Sequence, residues 1–376
     1  MKKKIRILCV ALMVLFVIFI LAPFLMLLGP DRFRDYIHRE LVYEVIVSKL
    51  TEGVKRDREK ALILMDFVEA HVLPHPVGSR VIDKHPLNDL IRGMGSCDQM
   101  ANTLITLARK ANIKGRLIFL YGYDSVSHHS VCDLYIDGRF RIFDPFIGSV
   151  FVDKEDNMAG FRDMQNRGGE FSPMRNQKAM GALNRVEKIK SSYIEWNKLP
   201  KEKSADLDIF EDIYLRLYEP AYEPKFFRVN YKQDRKRFAL SRIMDLYYNT
   251  LGDGFLILFQ ELYFKLDNTD PYTKARFKHL SFRYKDAISE YSVNIDAIED
   301  KFLKTEEIFF MGQAFWDMGD YKKSILEYER LLKFRGFPDA RRRRVILAYL
   351  IDACLRIREF EKTEFYRSQI EENIWL

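Results

Sequence analysis

The dipeptide Asp137-Gly138 constrains this chain more than any other feature. It sits between two alternating apolar and polar runs, Val131-Cys132-Asp133-Leu134-Tyr135-Ile136 and Arg139-Phe140-Arg141-Ile142-Phe143-Asp144. Asp-Gly between such runs predicts an antiparallel hairpin closed by a two-residue type I′ turn, because both turn positions require positive φ. A regular register sets Ile136 opposite Arg139 and Val131 opposite Asp144. His129 then shares a face with Asp144 on a diagonal, about 7–8 Å between Cα atoms and within reach of long side chains. By the same parity Cys132 and His128 point the other way, and a one-residue slip would exchange His128 with His129.

Upstream, Gly95-Ser96-Cys97-Asp98-Gln99 reads as a helix start. Ser96 followed three residues later by Gln99 is a capping box. Beyond it Met100, Ala101, Leu104, Leu107, Ala108 and Ala111 recur with the spacing of one apolar helix face. Cys97 therefore falls in the first turn, where unpaired amides and the positive end of the helix dipole favour a thiolate. The alternative is a small apolar residue packed beneath a helix start. A cysteine, a histidine and an aspartate in this order match what nucleophilic catalysis requires: a nucleophile, its base, and a group that orients the base.

These residues resemble the transglutaminase-like branch of the papain-like thiol enzymes, over roughly Leu62 to Gly148. The first matching block is Gly95-Ser96-Cys97-Asp98-Gln99-Met100-Ala101, with Asn112-Ile113-Lys114-Gly115-Arg116-Leu117 after its helix. The second is His129-Ser130-Val131-Cys132-Asp133, then Asp137-Gly138-Arg139-Phe140 and Asp144-Pro145. The resemblance implies an α+β core in which a helix carrying the cysteine packs on an antiparallel sheet. It further implies Cys97 as nucleophile, His129 as general base and acid, and Asp144 as the orienting carboxylate. Val131 stands where many members carry tryptophan, which alters the wall beside the cysteine, and Asp133 replaces the usual glutamate.

From Ile7 to Leu28 runs an uninterrupted apolar stretch, long enough to cross a bilayer core of about 30 Å. Lys2, Lys3, Lys4 and Arg6 precede it, so the positive-inside rule predicts a cytoplasmic N-terminus and an extracytoplasmic soluble part. Arg32, Arg34 and Arg39 weaken that bias. Leu28-Gly29-Pro30 is a poor cleavage site, which favours an uncleaved anchor over a signal peptide. The four cysteines, Cys9, Cys97, Cys132 and Cys354, form no disulfide framework. The net charge of +7 is modest against 61 basic and 54 acidic residues. Lys55-Arg56-Asp57-Arg58 and Arg341-Arg342-Arg343-Arg344 read as solvated helix faces, since neither lies in a nucleic-acid module.

Asp57 to His71 carries apolar residues at helical spacing and stops before Pro74, the expected leading helix of the core. Val152 to Ser192, rich in Gly, Asn and Met, reads as a long loop or lid, or equally as a disordered connector. Asp206 to Leu266 reads as helical and aromatic-rich, with Phe255–Phe259 too short and its flanks too charged for a second span. The C-terminal part repeats: Tyr284-Lys285-Asp286-Ala287-Ile288 returns as Tyr321-Lys322-Lys323-Ser324-Ile325, and more weakly at Phe360-Glu361-Lys362. The spacing is near the roughly 34 residues of tetratricopeptide repeats, and Ala314–Tyr321 resembles the first helix and turn of one. Such helix pairs bind peptides or proteins; a plain bundle propping up the core is the alternative. The expected division is an anchor at 1–29, a transglutaminase-like domain at 30–195 with its core at 57–150, a helical connection at 196–275 and repeats at 276–376.

No phosphate-cradling loop, no Cys-x-x-Cys and no His-Glu-x-x-His occurs, so neither cofactor nor metal is expected. The resulting expectation is a membrane-anchored thiol enzyme acting on amide or ester bonds of a peptide, protein or envelope polymer. The C-terminal repeats would recruit the substrate or a protein partner, and nucleic acid plays no part. The rival is a non-catalytic, membrane-tethered scaffold built on the same fold.

Overall fold

The computed structural model describes residues 2–74, 86–121, 127–146, 148–167, 171–175, 224–227, 235–334 and 340–372. Helix α1 (Lys2–Met26) is followed by α2 (Asp31–Leu50), α3 (Asp57–His71), α4 (Pro86–Arg92) and α5 (Cys97–Lys110). Two short parallel strands, β1 (Leu73–Pro74) and β2 (Met94–Gly95), join the end of α3 to the approach of α5. The sheet consists of β3 (Gly115–Tyr121), β4 (Ser127–Ile136), β5 (Arg139–Asp144), β6 (Ser149–Val152), β7 (Ser172–Arg175) and β8 (Pro224–Phe227). All neighbours are antiparallel, in the order β7-β6-β5-β4-β3-β8.

The hairpin of β4 and β5 has the register that Asp-Gly requires. Ile136 pairs with Arg139, and φ is 51° at Asp137 and 79° at Gly138, the double positive φ of a type I′ turn. One face of the sheet buries Cys132, Leu134, Ile136 and Phe143 in the core that also holds Met100, Leu104 and Leu107 of α5. On the other face Ile118, Leu120, Val131, Ile142 and Phe151 pack with Ala159, Phe161, Met164 and Phe171. That second layer includes α6 (Phe161–Arg167). In its described residues, 152–167 and 171–175, the stretch beginning at Val152 forms the end of β6, a turn, α6 and β7 where a loop or lid is expected; residues 168–170 and 176–192 lie outside the described residues. Scattered apolar anchors seal the sheet there without any helical or strand period to announce them.

A second correction concerns Asp206–Leu266, of which residues 206–223 and 228–234 lie outside the described residues. Helix α7 (Arg235–Leu266) is present, kinked at Gly252 with φ 65° and ψ −153°. Pro224–Phe227, however, is a strand that extends the sheet beside β3. Its pairing partner lies about a hundred residues upstream, so local composition does not reveal it.

The C-terminal part is helical throughout its described residues: α8 (Pro271–Leu280), α9 (Tyr284–Ala297), α10 (Lys301–Met318), α11 (Tyr321–Leu332), α12 (Ala340–Ile357) and α13 (Phe360–Glu372). The repeated motifs open α9, α11 and α13 at Tyr284, Tyr321 and Phe360. Two residues before each, the backbone turns left-handed, at Phe282 (φ 62°), Gly319 (φ 86°) and Arg358 (φ 66°). Each such residue and its successor donate back to the end of the preceding helix in the same pattern: Phe282 to His279 and Arg283 to Lys278, Gly319 to Trp316 and Asp320 to Phe315, Arg358 to Leu355 and Glu359 to Cys354. This is the Schellman type of helix end. Each of the three sequence motifs thus follows a helix end of one type, which also closes α5 at Asn112 and Ile113.

These helices dock on the core close to the approach of α5. Arg276, fully buried, donates to the carbonyls of Leu90 at 2.6 Å and Ile91 at 3.0 Å at the end of α4. Its guanidinium lies 3.5 Å from the centre of the Phe310 ring. Gln313 reaches the carbonyl of Ala70 at 2.9 Å.

Candidate active site

The cysteine side of the site is built by a helix start. Cys97 is the first residue of α5, partly exposed, with Ser96 as the N-cap. Gln99 Oε1 accepts from the Ser96 backbone N–H at 2.8 Å, and Gln99 Nε2 donates to Oδ1 of the buried Asp89 at 2.7 Å. Asp89 also pairs with Arg92. One side chain therefore caps α5 and ties it to α4, which limits how far Cys97 can move. The capping box announces half of this arrangement; the Asp89 contact has no local signal.

The imidazole side is built by the sheet. His129 lies opposite Leu120, and a register shift between Leu120 and Tyr121 leaves His128 outside the ladder. Such bulges re-aim neighbouring side chains. The side chain of His128 lies outside the described residues. His129 and Asp144 are both buried, and Nε2 of His129 is 2.6 Å from Oδ2 of Asp144. The other carboxylate oxygen of Asp144 accepts from the Phe146 backbone N–H at 3.1 Å. An aspartate that accepts from the amide two residues on is the Asx-turn geometry, and Asp-Pro-Phe is the signal that could have identified it. The Phe146 ring stands edge-on to the imidazole, 5.8 Å between centroids.

The structure thus brings together the three residues singled out from the sequence. Cys97 stands close enough to the imidazole of His129 to act on it, alongside Asp144. With Nε2 held by the carboxylate, Nδ1 is the nitrogen left for sulfur. Burial by itself works against a charged imidazole. The carboxylate of Asp144 outweighs it through charge and hydrogen bond, the Cys97 contact adds to it, and the result is raised to about 10. The carboxylate thus favours the imidazolium form of His129.

The other cysteines are of a different kind. Cys132 is fully buried, its sulfur 3.6 Å from the Phe143 carbonyl, and burial pushes its thiol well up. Cys354, also buried, is pushed up to about 12. Val131 is buried among the apolar residues of the second sheet face. Asp133 pairs with Arg116 directly across the β3–β4 ladder at 2.5 Å, a structural ion pair. Among the described residues, no group of three or more His, Cys, Asp or Glu side chains is placed to hold a metal ion.

Residues 44–145 match the family model of the transglutaminase-like superfamily, and they form a transglutaminase-like core. Among solved structures, a candidate cysteine protease from Cytophaga hutchinsonii is 22% identical, with a TM-score of 0.25, over 32% of this chain and 40% of that one. A candidate protease from Parabacteroides distasonis is 15% identical, with a TM-score of 0.25, over 33% of this chain and 25% of that one. The chain spans less than half the length of either structure. No curated protein matches it.

Proposed function

We propose that this protein is a membrane-anchored thiol enzyme that hydrolyses or transfers acyl groups at amide or ester bonds of a peptide, protein or envelope-polymer substrate. Cys97 is the nucleophile, His129 the general acid and base, and Asp144 the orienting carboxylate. The observation that carries this reading is His129 held by Asp144 at 2.6 Å while Cys97, at a helix N-terminus, stands close enough to act on the same imidazole.

In this reading the Cys97 sulfur attacks the substrate carbonyl carbon, and the carbonyl electrons move onto oxygen as the S–C bond forms. The backbone N–H of Cys97, at the positive end of α5, is placed to stabilise that oxyanion. Collapse of the intermediate breaks the bond to the leaving amine or alcohol, which takes its proton from the His129 imidazolium. Water or an amine then gives its proton to His129 and attacks the thioester, which frees Cys97. Water gives hydrolysis; an amine gives transfer or cross-linking.

Helix α1 supports the anchoring half of the proposal, since Ile5–Met26 is long and apolar enough to cross a membrane. The basic residues before it favour a cytoplasmic N-terminus and an extracytoplasmic core. The three C-terminal helix pairs serve as the tetratricopeptide-like surface that recruits the substrate or a protein partner.

The test is site-resolved alkylation by iodoacetamide near pH 6. Cys97 is expected to react well ahead of Cys132 and Cys354, and His129→Ala is expected to abolish that preference. Reaction at Cys97 that is indifferent to both pH and His129 would leave only a membrane-tethered scaffold.

A further inference from the structure

The free part of α1 is too short to cross a bilayer alone. From Ile5 to Ile18 its described side chains are exposed on every face, a length of about 21 Å at roughly 1.5 Å per residue. A hydrocarbon core of about 30 Å requires some 9 Å more. That remainder must come from Phe19–Met26, and this segment is already packed on the body of the protein. Phe19 stacks on Tyr247 with centroids 4.6 Å apart, and Phe24 meets Phe255 at 5.8 Å and Phe259 at 6.3 Å. If α1 spans, the part of α7 around its Gly252 kink sits at the depth of these contacts.

That part of α7 carries three exposed apolar side chains, with exposed Asn249, Thr250, Asp253 and Gly254 between them. Leu246 is 54% exposed, Ile257 43% and Leu258 59%. On either side of them Tyr247, Phe255 and Phe259 are buried against α1 and the core. A soluble protein leaves such a cluster exposed at a cost of about 25 cal/mol per Å² of apolar surface. Asp253, at the kink, is paired with Lys49 at 2.9 Å, so the charge within this segment is compensated.

We propose that the outer face formed by Leu246, Ile257 and Leu258 is seated in lipid. The kinked middle of α7 is an interfacial element that sinks about 5–10 Å into the bilayer boundary beside α1. The occupant is bilayer lipid rather than a protein, because the neighbouring Tyr247, Phe255 and Phe259 rest on α1 at the depth the shortfall in length requires. The consequence is that the soluble body does not swing on a tether. It is seated on the membrane in one orientation, so the Cys97 site stands at a set height above the surface.

This inference rests on the reading of α1 as a span, and the experiment separates the two. A photo-crosslinking residue, p-benzoylphenylalanine, is placed singly at Leu15, Leu246, Leu258 or Leu326 in the full chain reconstituted in phosphatidylglycerol–phosphatidylethanolamine nanodiscs. Lipid adducts are then read by mass spectrometry. Leu15 reports on the span, and Leu326, 62% exposed on α11, is the aqueous control. Adducts at Leu246 and Leu258 at a yield within about threefold of Leu15, with none at Leu326, are the expected result. Adducts at Leu15 but none at Leu246 and Leu258, or cross-links there to a second copy of the chain, overturn the seating and leave the span intact. No adduct at Leu15 removes the span and the seating together.

Discussion

The Nε2 atom of His129 and the Oδ2 atom of Asp144 lie 2.6 Å apart in a buried setting, although the two residues are 15 positions apart in the chain. The hairpin turn between them converts that separation into a contact. It also sets the electrostatics, because a carboxylate this close keeps the imidazole charged against the desolvation that would neutralise it.

Asp144→Asn keeps the shape of the carboxyl group and removes its charge. Alkylation of Cys97 near pH 6 is expected to slow at least about tenfold, the factor that one pKa unit represents. The same change alters stability. Against burial, Asp144 raises His129 from its ordinary 6.5 to about 10 in the folded chain. Its contribution is therefore fully present below about pH 6.5 and is lost as the pH rises through about 10. Urea midpoints measured from pH 6 to 10 should fall more steeply for the native protein than for Asp144→Asn. Parallel curves would show that the pair does not hold the proton.

His38 is the opposite case. It is buried on α2, stacked on Tyr263 with ring centroids 3.9 Å apart, and desolvation lowers it to about 3. The folded state holds the neutral ring, so stability is complete above about pH 6.5 and declines as the pH falls toward 3, by at most about 1.4 kcal/mol per pH unit. His38→Phe retains the stacking and has no proton to take up. Its urea midpoint is expected to fall less between pH 6.5 and 4 than that of the native chain.

Gly93 joins α4 to β2, four residues before Cys97. Its φ is +67°, and a Cβ built on it would stand 2.1 Å from Cζ of Phe310 on α10. Gly93→Ala should cost about 2–4 kcal/mol from overpacking and left-handed strain together. In a Phe310→Leu background the same substitution should cost about 1 kcal/mol less, which chemical denaturation of the four variants would measure. Equal costs would show that the helical part does not press on this turn.

The three left-handed positions that precede α9, α11 and α13 are occupied by Phe282, Gly319 and Arg358, of which only one is glycine. A left-handed residue with a side chain costs about 1–2 kcal/mol of backbone strain. Arg358 is exposed, so Arg358→Gly is expected to raise stability by about 0.5–1 kcal/mol, and Gly319→Ala to lower it by about 1 kcal/mol. Thermal denaturation of both variants checks the pair. Shifts of the same sign would break the equivalence of the repeats.

Much of the site was legible before any coordinates. Asp137-Gly138 set the hairpin, Ser96 and Gln99 placed Cys97 at a helix start, and parity placed His129 on the side of Asp144. Each of these depends on residues within a few positions of one another. The anchoring of Gln99 on Asp89 and the docking of Arg276 on Leu90 and Ile91 were not legible. Nor was the second sheet layer, whose anchors Ala159, Phe161, Met164 and Phe171 follow no period. Pro224–Phe227 gave no sign of its place beside β3, because a strand is identified by its partner as much as by its own side chains.

The sequence by itself determined the start and apolar face of α5, the hairpin, and the identity of the residues that meet at Cys97. Backbone hydrogen bonding and side-chain period are settled by near neighbours. Tertiary structure alone decided which nitrogen of His129 takes the carboxylate, what the C-terminal helices press against, and how much of α1 stands clear of the body. Those outcomes depend on packing between segments as far apart as Ile91 and Arg276, separated by 185 positions. No local pattern encodes the shape of a surface that forms only when both segments are folded.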